Sequence, residues 1–504
     1  MSTTELGPNN RSGDYDIMEP YWRMVSDIVA GAKAMRAAKS GADNPYLPKF
    51  PNESDADYAY RVANAKFTNI YRDIIETLAA KPFTKEVALA EDAPDDFKKI
   101  AEDIDGAGNH LHTFAGRSFF AGINNAVDWI MVDYVKMRPG TTLADERSMN
   151  ARPYWVHVEA PRVLAVYSAR IGAKEELVHV RIAETGKARD GYGETITNRV
   201  RVYNREPIVD TDGAVINYAP ATFEVYEQKT SSASSGAKTS SWDLVDQGPI
   251  SIGVIPMVPF IAGRRIEGTW QFVPPMQDAA YLQIEHFQQE TNLKSIKEQA
   301  CFPMLAGNGV APVLEDGKAK AVPIGPKSVL YAPPNGEGEH GEWQFIEPNA
   351  ESLKFLAADV EATEQQLREL GRQPLTAKTG NITVTTAAFA GDKANSVIQA
   401  WALNLKDALE NAWALTAKWL GQSEGPTVVV DTDFDVGLSD EKDPDNLLKM
   451  RERGDLSGQT LGEEFKRRGI LSVEWDYDEE VKRITEEIPG EPNEADGPPM
   501  EDAA

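Results

Sequence analysis

The sequence predicts an α+β fold, and three observations predict it. Apolar residues recur at helical spacing through the first 135 residues and again in long segments beyond Pro275. Between about 152 and 262 the period changes to two, the alternation of half-buried strands. Two long amphipathic patterns flank a stretch rich in Pro and Gly, from Phe302 to Pro348. The 504 residues suffice for a substantial core in two or more subdomains. With 41% hydrophobic and 26% charged residues, the composition is that of a globular chain and not of a disordered one.

Taken in order, residues 15–40 space Trp22, Val25, Ile28 and Val29 as a helix. A polar turn, NPYLPKFPNESD, follows. ADYAYRVANAKFTNIYRDIIETLAAKPF then predicts a second amphipathic helix through Tyr60, Val62, Ala65, Phe67, Ile70, Ile74, Ile75 and Leu78, closed by Pro82. Residues 93–135 hold two more helical segments, one ending at Gly106 and one carrying Phe119, Phe120, Val127 and Ile130. The strands read as YWVHVEA, VLAVYSARI, ELVHVRIAE, TNRVRVYN, TFEVYEQK and SWDLVDQG. Between the last two, KTSSASSGAKTSS (229–241) predicts a long exposed hairpin loop.

A helix is expected from Pro275 to Ala300, its apolar positions Tyr281, Leu282, Ile284, Phe287, Leu293 and Ile296 interrupted by the polar QQETN. Asn349 caps a second, with Leu353, Leu356, Val360, Leu367 and Leu370 on one stripe and Gly371 at its end. The loop GRQPLTAKTGNIT leads into a third, 385–420, whose apolar face is Ile398, Trp401, Leu405, Leu409, Ala412, Leu415 and Trp419. A strand, PTVVVDTDFDV, precedes short helices near 445–454, 460–468 and 476–487. The acidic, proline-rich end, 488–504, predicts disorder.

The net charge is −27, and residues 421–504 hold 24 Asp and Glu against 9 Lys and Arg. Such a chain does not bind nucleic acid through a broad basic face, because Lys and Arg on phosphates supply most non-specific affinity. The surplus serves either solubility or a surface that DNA passes without adhering, and composition alone does not choose. The single cysteine, Cys301, excludes an internal disulfide framework and a multi-cysteine metal cluster and fits a reducing cytoplasm during synthesis. No basic region followed by an apolar run opens the chain, and the most apolar window, 248–263, is too short to span a bilayer and carries three prolines. A soluble protein with no membrane role of its own is expected.

Catalytic and nucleotide motifs fail on spacing. GNGVAPVLEDGKAK has Pro312 where a phosphate loop needs its first glycine, and Ala follows Lys318. The loop at 371–383 contains AKTG without paired glycines and follows a helix instead of a strand. Gly336, Gly338 and Gly341 match G-x-G-x-x-G formally, but glutamates stand where pyrophosphate needs backbone amides, so a surface turn is expected. Asp431, Asp433 and Asp435 open like a calcium loop, yet the sixth position is Val436 and the twelfth Lys442; a solvated strand face is expected. His110 and His112 share a strand face if that stretch is extended, without a further metal ligand nearby. His286, in a polar helix middle, suits hydrogen bonding or a subunit contact. No Gly-x-Ser-x-Gly elbow exists. No cofactor, metal or enzymatic activity is expected.

In this order the pieces resemble a portal protein of tailed bacteriophages, in particular the portal-like group otherwise described only as a phage domain of unknown function. The resemblance spans about Tyr15 to Glu487. It rests on the signature NPYLPKFPNESDADYAYRVANAKFTNIYRDIIETLAAKPF and on the order helix, Pro/Gly-rich β insert, helix, polar loop, long helix, strand, small helices. It implies a portal fold: a mixed wing at 1–274, stem helices at 275–300 and 349–371, and a clip at 301–348. A tunnel loop at 372–384, a long helix and wing strand at 385–437 and a crown at 438–487 complete it. The resemblance further implies a ring, typically of twelve copies of this chain, around a channel for double-stranded DNA at one capsid vertex. Its implied partners are the terminase large subunit, a head-completion or adaptor protein, and the major capsid protein with its scaffold. The implied location is the virion, with the host cytoplasm during assembly, and the implied roles are genome packaging, head–tail attachment and genome ejection.

Two stem helices with one apolar stripe each bury it only beside ring neighbours. Gln288, Gln289, Glu290, Glu361, Glu364, Gln365 and Gln366 then suit a wet channel wall. In the loop, Arg372, Gln373, Thr376, Lys378, Thr379, Asn381 and Thr383 are the positions expected to meet passing phosphates. The rivals are a phage-encoded metal-dependent nuclease with scattered carboxylates, and another structural virion protein.

Overall fold

The computed structural model describes residues 7–136, 142, 145, 148–149, 151–232, 238–300, 304–308, 314–315, 318–319, 341–346, 350–370, 384–432, 442–467, 470–472 and 475–487. Two compact units divide the chain, Met1–Phe434 and Asp435–Ala504. Mixed helix and strand bear out the α+β expectation.

The larger unit opens with α1 (Gly13–Ala30) and α2 (Ala32–Ala37), where a single helix was expected. Gly31 separates them with a φ of 89°, a conformation open to glycine at little cost. The second expected helix is also two, α3 (Asp55–Ala63) and α4 (Ile70–Ala80). Asn64 to Asn69 is non-helical between them, so Ala65 and Phe67 do not lie on a helix face. Ser54 caps α3 by accepting the Asp57 N–H, and Asn69 caps α4 by accepting that of Arg72. Pro82 stands in the 3-10 turn Lys81–Phe83. Short β1 (Ala88–Leu89) and α5 (Asp95–Glu102) follow.

Helix α6 (Leu111–Asn125) ends earlier than its apolar pattern suggested. Ala126 turns left-handed, with a φ of 74°, and Val127 and Ile130 belong to strand β2 (Val127–Tyr134). This strand is buried on both faces, so its continuous apolar run imitates a helix. With β3 (Pro153–Glu159) and β11 (Met257–Ile261) it forms a sheet of order β11-β2-β3. A second sheet has the order β10-β9-β6-β5-β4. Its strands are β4 (Val163–Ile171), β5 (Lys174–Asp190), β6 (Gly193–Asn204), β9 (Thr222–Ser232) and β10 (Lys238–Pro249), all paired antiparallel. The hairpin expected at 229–241 exists, but Ser232 pairs with Lys238, so most of the expected loop is ladder. A separate hairpin, β7 (Pro207–Val209) with β8 (Val215–Tyr218), leaves the end of β6. Strands β12 (Arg264–Arg265) and β13 (Phe272–Val273) pair with each other.

Helix α7 (Gln277–Ala300) and helix α8 (Ala350–Leu370) match the two expected stem segments. Between them β14 (Met304–Asn308) pairs with β17 (Glu342–Ile346), and β15 (Leu314–Glu315) with β16 (Lys318–Ala319). Helix α9 (Val384–Trp419) packs against the three-stranded sheet. Its predicted face is borne out: Ile398, Trp401, Leu405, Leu409, Ala412 and Leu415 are buried and Trp419 packs at the edge of the core. The aromatic centre of the unit is Trp155 against Trp413 at 4.9 Å, with Phe97 and Phe114 edge-on at 5.6 Å. Trp155 donates its indole N–H to Thr416, and Trp419 donates to the Val132 carbonyl.

Of the expected strand near 426–437, the described residues hold β18 (Val428–Val429), paired with β1. Asp431 does not lie on a solvated face: its carboxylate is turned inward, accepting from Thr84 and Lys85. Asp433 and Asp435 lie outside the described residues, as do Asn349, Gly371 and the glycines at 336 and 338. The smaller unit consists of α10 (Lys442–Glu452), α11 (Gly458–Arg467) and α12 (Tyr477–Glu487), close to the three short helices expected. Among the described residues no helix is long and apolar enough to cross a membrane.

Candidate functional site

Helices α7 and α8 run side by side. Gln289 donates to Asp359, while His286, three residues earlier, feels the charge of Glu364, five residues later. The pair is therefore antiparallel. One side of α7 is fastened to residues 64–71, the link before α4 and its first residues, and the fastening is polar. Gln283, fully buried, accepts the N–H groups of Ile70 and Tyr71, both at 2.9 Å, and donates to the Thr68 carbonyl at 3.0 Å. It thereby satisfies two of the amides that the first turn of α4 leaves without helical partners. Glu290 accepts from the Thr68 N–H and hydroxyl and pairs with Lys66 at 2.8 Å. Thr291 donates to the Lys66 carbonyl and Lys294 to that of Asn64. Phe67 packs edge-on to Phe287 at 5.2 Å.

These contacts correct the expectation for the polar middle of the first stem helix. Glu290 does not face a channel; it is buried within its own chain and holds the backbone of Thr68. Gln288 is half-buried and donates to the Tyr46 carbonyl, and Gln289 bridges to α8. The irregular segment 64–69 leaves peptide groups that need partners, and these side chains supply them. His286 is enclosed as well. It is buried among the chain's own residues, neither ring nitrogen has a hydrogen-bond partner, and Glu290 approaches only to 3.8 Å. Burial holds its imidazole below the usual range.

On α8 the expectation fares differently. Glu361, Gln365 and Gln366 are exposed, and Glu364 is half-buried, paired with Arg368, which also faces Asp73 of α4. Together α7 and α8 carry nine carboxylates against four cations. Four large apolar side chains of the pair are uncovered: Tyr281 and Ile296 on α7, Phe355 (73% exposed) and Leu370 on α8. In the antiparallel register Tyr281 lies near the level of Leu370 and Ile296 near that of Phe355, the two levels about 22 Å apart at 1.5 Å per residue. The loop positions Arg372, Gln373, Thr376, Lys378, Thr379, Asn381 and Thr383 lie outside the described residues. Sequence reasoning missed Gln283, Thr291 and Lys294; the signal was present in the break it overlooked at Asn64, which leaves backbone for distant side chains to satisfy.

The other histidine expectation is also corrected. His110 precedes α6 and His112 lies in it, accepting the Val87 N–H through Nδ1, so the two do not share a strand face. A separate buried pair is Asp128 with His157, 2.9 Å apart between β2 and β3. Burial pushes the Asp128 carboxyl up to about 6, against the pull of His157. Burial lowers the His157 imidazole while Asp128 raises it, and the carboxylate prevails. Among the described residues no three His, Cys, Asp or Glu side chains converge as metal ligands.

Residues 275–420 match a family described as a domain of unknown function, DUF4055. The match runs from the start of the first stem segment to the end of the long helix. No curated protein matches the chain. Among solved structures, the chain is similar to one in the neck of a native GTA particle computed with C12 symmetry. There the identity is 12% over 77% of this chain and 86% of that one, with a TM-score of 0.40. A second lies in the neck of an empty GTA particle computed with C6 symmetry, at 13% identity over 79% and 88%, TM-score 0.40. A third belongs to the virion of a native gene transfer agent (GTA) particle, at 13% identity over 78% and 87%, TM-score 0.36.

Proposed function

We propose that this chain is a phage portal subunit: a ring of copies around a channel for double-stranded DNA at one capsid vertex. The observation that carries the reading is the α7–α8 pair. One side is fastened to the chain's own body, while Tyr281, Ile296, Phe355 and Leu370 are left uncovered among surplus carboxylates. Large apolar side chains exposed on paired helices mark a contact with another molecule. Repeated side by side, the pairs cover those side chains and present Glu361 and Gln365 to a lumen. Such a wall repels phosphate and keeps DNA centred and mobile, where a basic wall would hold it. The segment from 372 to 384 is the proposed tunnel loop, with Arg372 and Lys378 touching phosphates in passing.

The role is mechanical. The ring nucleates capsid assembly, receives the terminase motor during packaging, binds head-completion proteins afterwards and releases the genome into the tail. The work of ATP hydrolysis falls to the motor. Negative-stain imaging of the purified full-length protein tests the reading. Rings with a central hole are expected, and Phe355→Asp with Leu370→Asp is expected to abolish them. A monomer at every concentration, or magnesium-dependent DNA cleavage by the monomer, counts against the portal and for a nuclease.

A further inference from the structure

The four uncovered apolar side chains of the α7–α8 pair lie on one of its two sides. On α7, Tyr281, Glu285, Gln289, Asn292 and Ile296 recur at helical spacing, and on α8 so do Phe355, Asp359, Ala362, Gln366 and Leu370. Gln289 donates to Asp359, so the two stripes flank one groove and face one way. Phe355 and Ile296 stand out from it at neighbouring levels, as a knob. The two stripes carry exposed Glu285 and Asp359 and no lysine or arginine.

The other side of the pair is the one fastened to residues 64–71, the strap across α7, where α8 also reaches Asp73 of α4 through Arg368. On this side a cavity of about 380 Å³ opens between Lys66 of the strap, Leu293 and Lys297 of α7, and Val360 of α8. Leu293, Val360 and the methylene stems of the lysines make its lining mainly apolar. Its carboxylates are matched within it: Glu290 pairs with Lys66 at 2.8 Å and Glu298 with Lys294 at 3.6 Å. Lys297 is exposed and has no carboxylate partner among the described residues. The same holds for Lys354, which stands about four turns before Arg368 and so on this side of α8. Against these two cations stands Glu361, two turns beyond Lys354.

Knob and cavity lie at one height. With Gln289 opposite Asp359, the antiparallel register sets Leu293 opposite Phe355. A cavity of about 150 Å³ already takes a benzene-sized ring, so this one has room for the Phe355 ring. We infer that Phe355 and Ile296 of one copy enter the cavity beside Leu293 and Val360 of the next copy of this chain. The side that carries carboxylates without cations then meets the side with cations to spare. A contact between two different patches repeats in one sense. With both patches at one height, it closes as a ring where the pairs stand along the axis, instead of climbing into a filament. The inference rests on the ring reading above and names one of its contacts.

Variants of the full-length protein test it from both ends. Phe355→Ala with Ile296→Ala cuts back the knob, Leu293→Trp plugs the cavity, and Lys297→Glu with Lys354→Glu reverses its free charge. Sedimentation velocity is expected to show each of the three self-associating at least about tenfold more weakly than wild type. Circular dichroism checks that each is folded. As an independent measurement, Ile296→Cys and Lys297→Cys are placed on separate chains, each with Cys301→Ser. Under oxidation, a mixture of the two chains is expected to yield a disulfide-linked dimer that neither yields alone. Wild-type rings that the plugged and charge-reversed variants leave intact overturn this contact and leave the ring reading standing. So does a mixture without dimer, or a dimer from the Ile296→Cys chain alone, which marks a twofold contact instead. A wild-type protein that never self-associates overturns both.

Discussion

Replacing Gln283 with Leu removes a single buried amide while nearly keeping its volume. Three hydrogen bonds go with it: two from the N–H groups of Ile70 and Tyr71 and one to the Thr68 carbonyl. Gln283 is completely enclosed, so water does not replace the lost partner without local opening. Each buried group left without a partner costs about 1–3 kcal/mol. The Ile70 N–H and the Thr68 carbonyl still reach each other at 3.2 Å, which leaves the Tyr71 N–H without a partner, so the expected loss is about 1–3 kcal/mol. Denaturant unfolding followed by tryptophan fluorescence measures it, with Gln365→Leu on the exposed face of α8 as the control, expected within about 0.5 kcal/mol of wild type. Hydrogen exchange by mass spectrometry localises the effect, since a peptide covering residues 66–72 is expected to lose protection. A loss under about 1 kcal/mol with unchanged exchange would refute the view that this side chain holds the first turn of α4 to α7.

Two further outcomes follow from the core. Asp128 is buried with its carboxyl raised from 3.8 to about 6, and its partner His157 is also raised, so both groups bind protons more readily in the folded chain. Their contribution is fullest at low pH and is lost as pH rises, for Asp128 across roughly 4 to 6. Asp128→Asn is therefore expected to gain on wild type by up to about 2 kcal/mol between pH 4.5 and pH 8; parallel denaturation curves at both pH values contradict this. Gly122 lies beneath the ring of Phe260, where an added Cβ comes within 2.4 Å of the ring carbons. Gly122→Ala is expected to cost about 2 kcal/mol in thermal unfolding, overpacking outweighing the gain in helix propensity.

The elements with strong single periodicity were legible in the sequence. Helix α9 shows its buried face at Ile398, Leu405, Leu409 and Ala412 because that face meets one continuous sheet. Strand β5 alternates buried and half-buried positions from Val178 to Ile182, as half-buried strands do. Three features hid behind good local patterns. Strand β2 is enclosed on both sides, so its apolar run continued the helix before it. The break at Asn64 is fixed by side chains more than two hundred positions away, Gln283 and Glu290, which no local window contains. For the same reason the polar middle of α7 read as a solvated wall: a polar residue facing water and one facing buried peptide groups look alike in sequence. On α8, Glu361 and Gln365 are exposed.

The long reach of the strap also bears on how the chain can be cut. The stretch that matches a family by sequence, 275–420, starts just before Gln283 and leaves its partners at 64–71 outside. It likewise separates α9 from the strands β2, β3 and β11 that cover it. Expressed alone, that fragment exposes a row of unmet polar groups on one helix and an aliphatic and aromatic seam on another, a recipe for aggregation. During synthesis the N-terminal helices must wait, with the first turn of α4 unclosed, until the ribosome has passed residue 294 and α7 can emerge. The boundary that similarity draws is one of ancestry, and the unit that folds is larger.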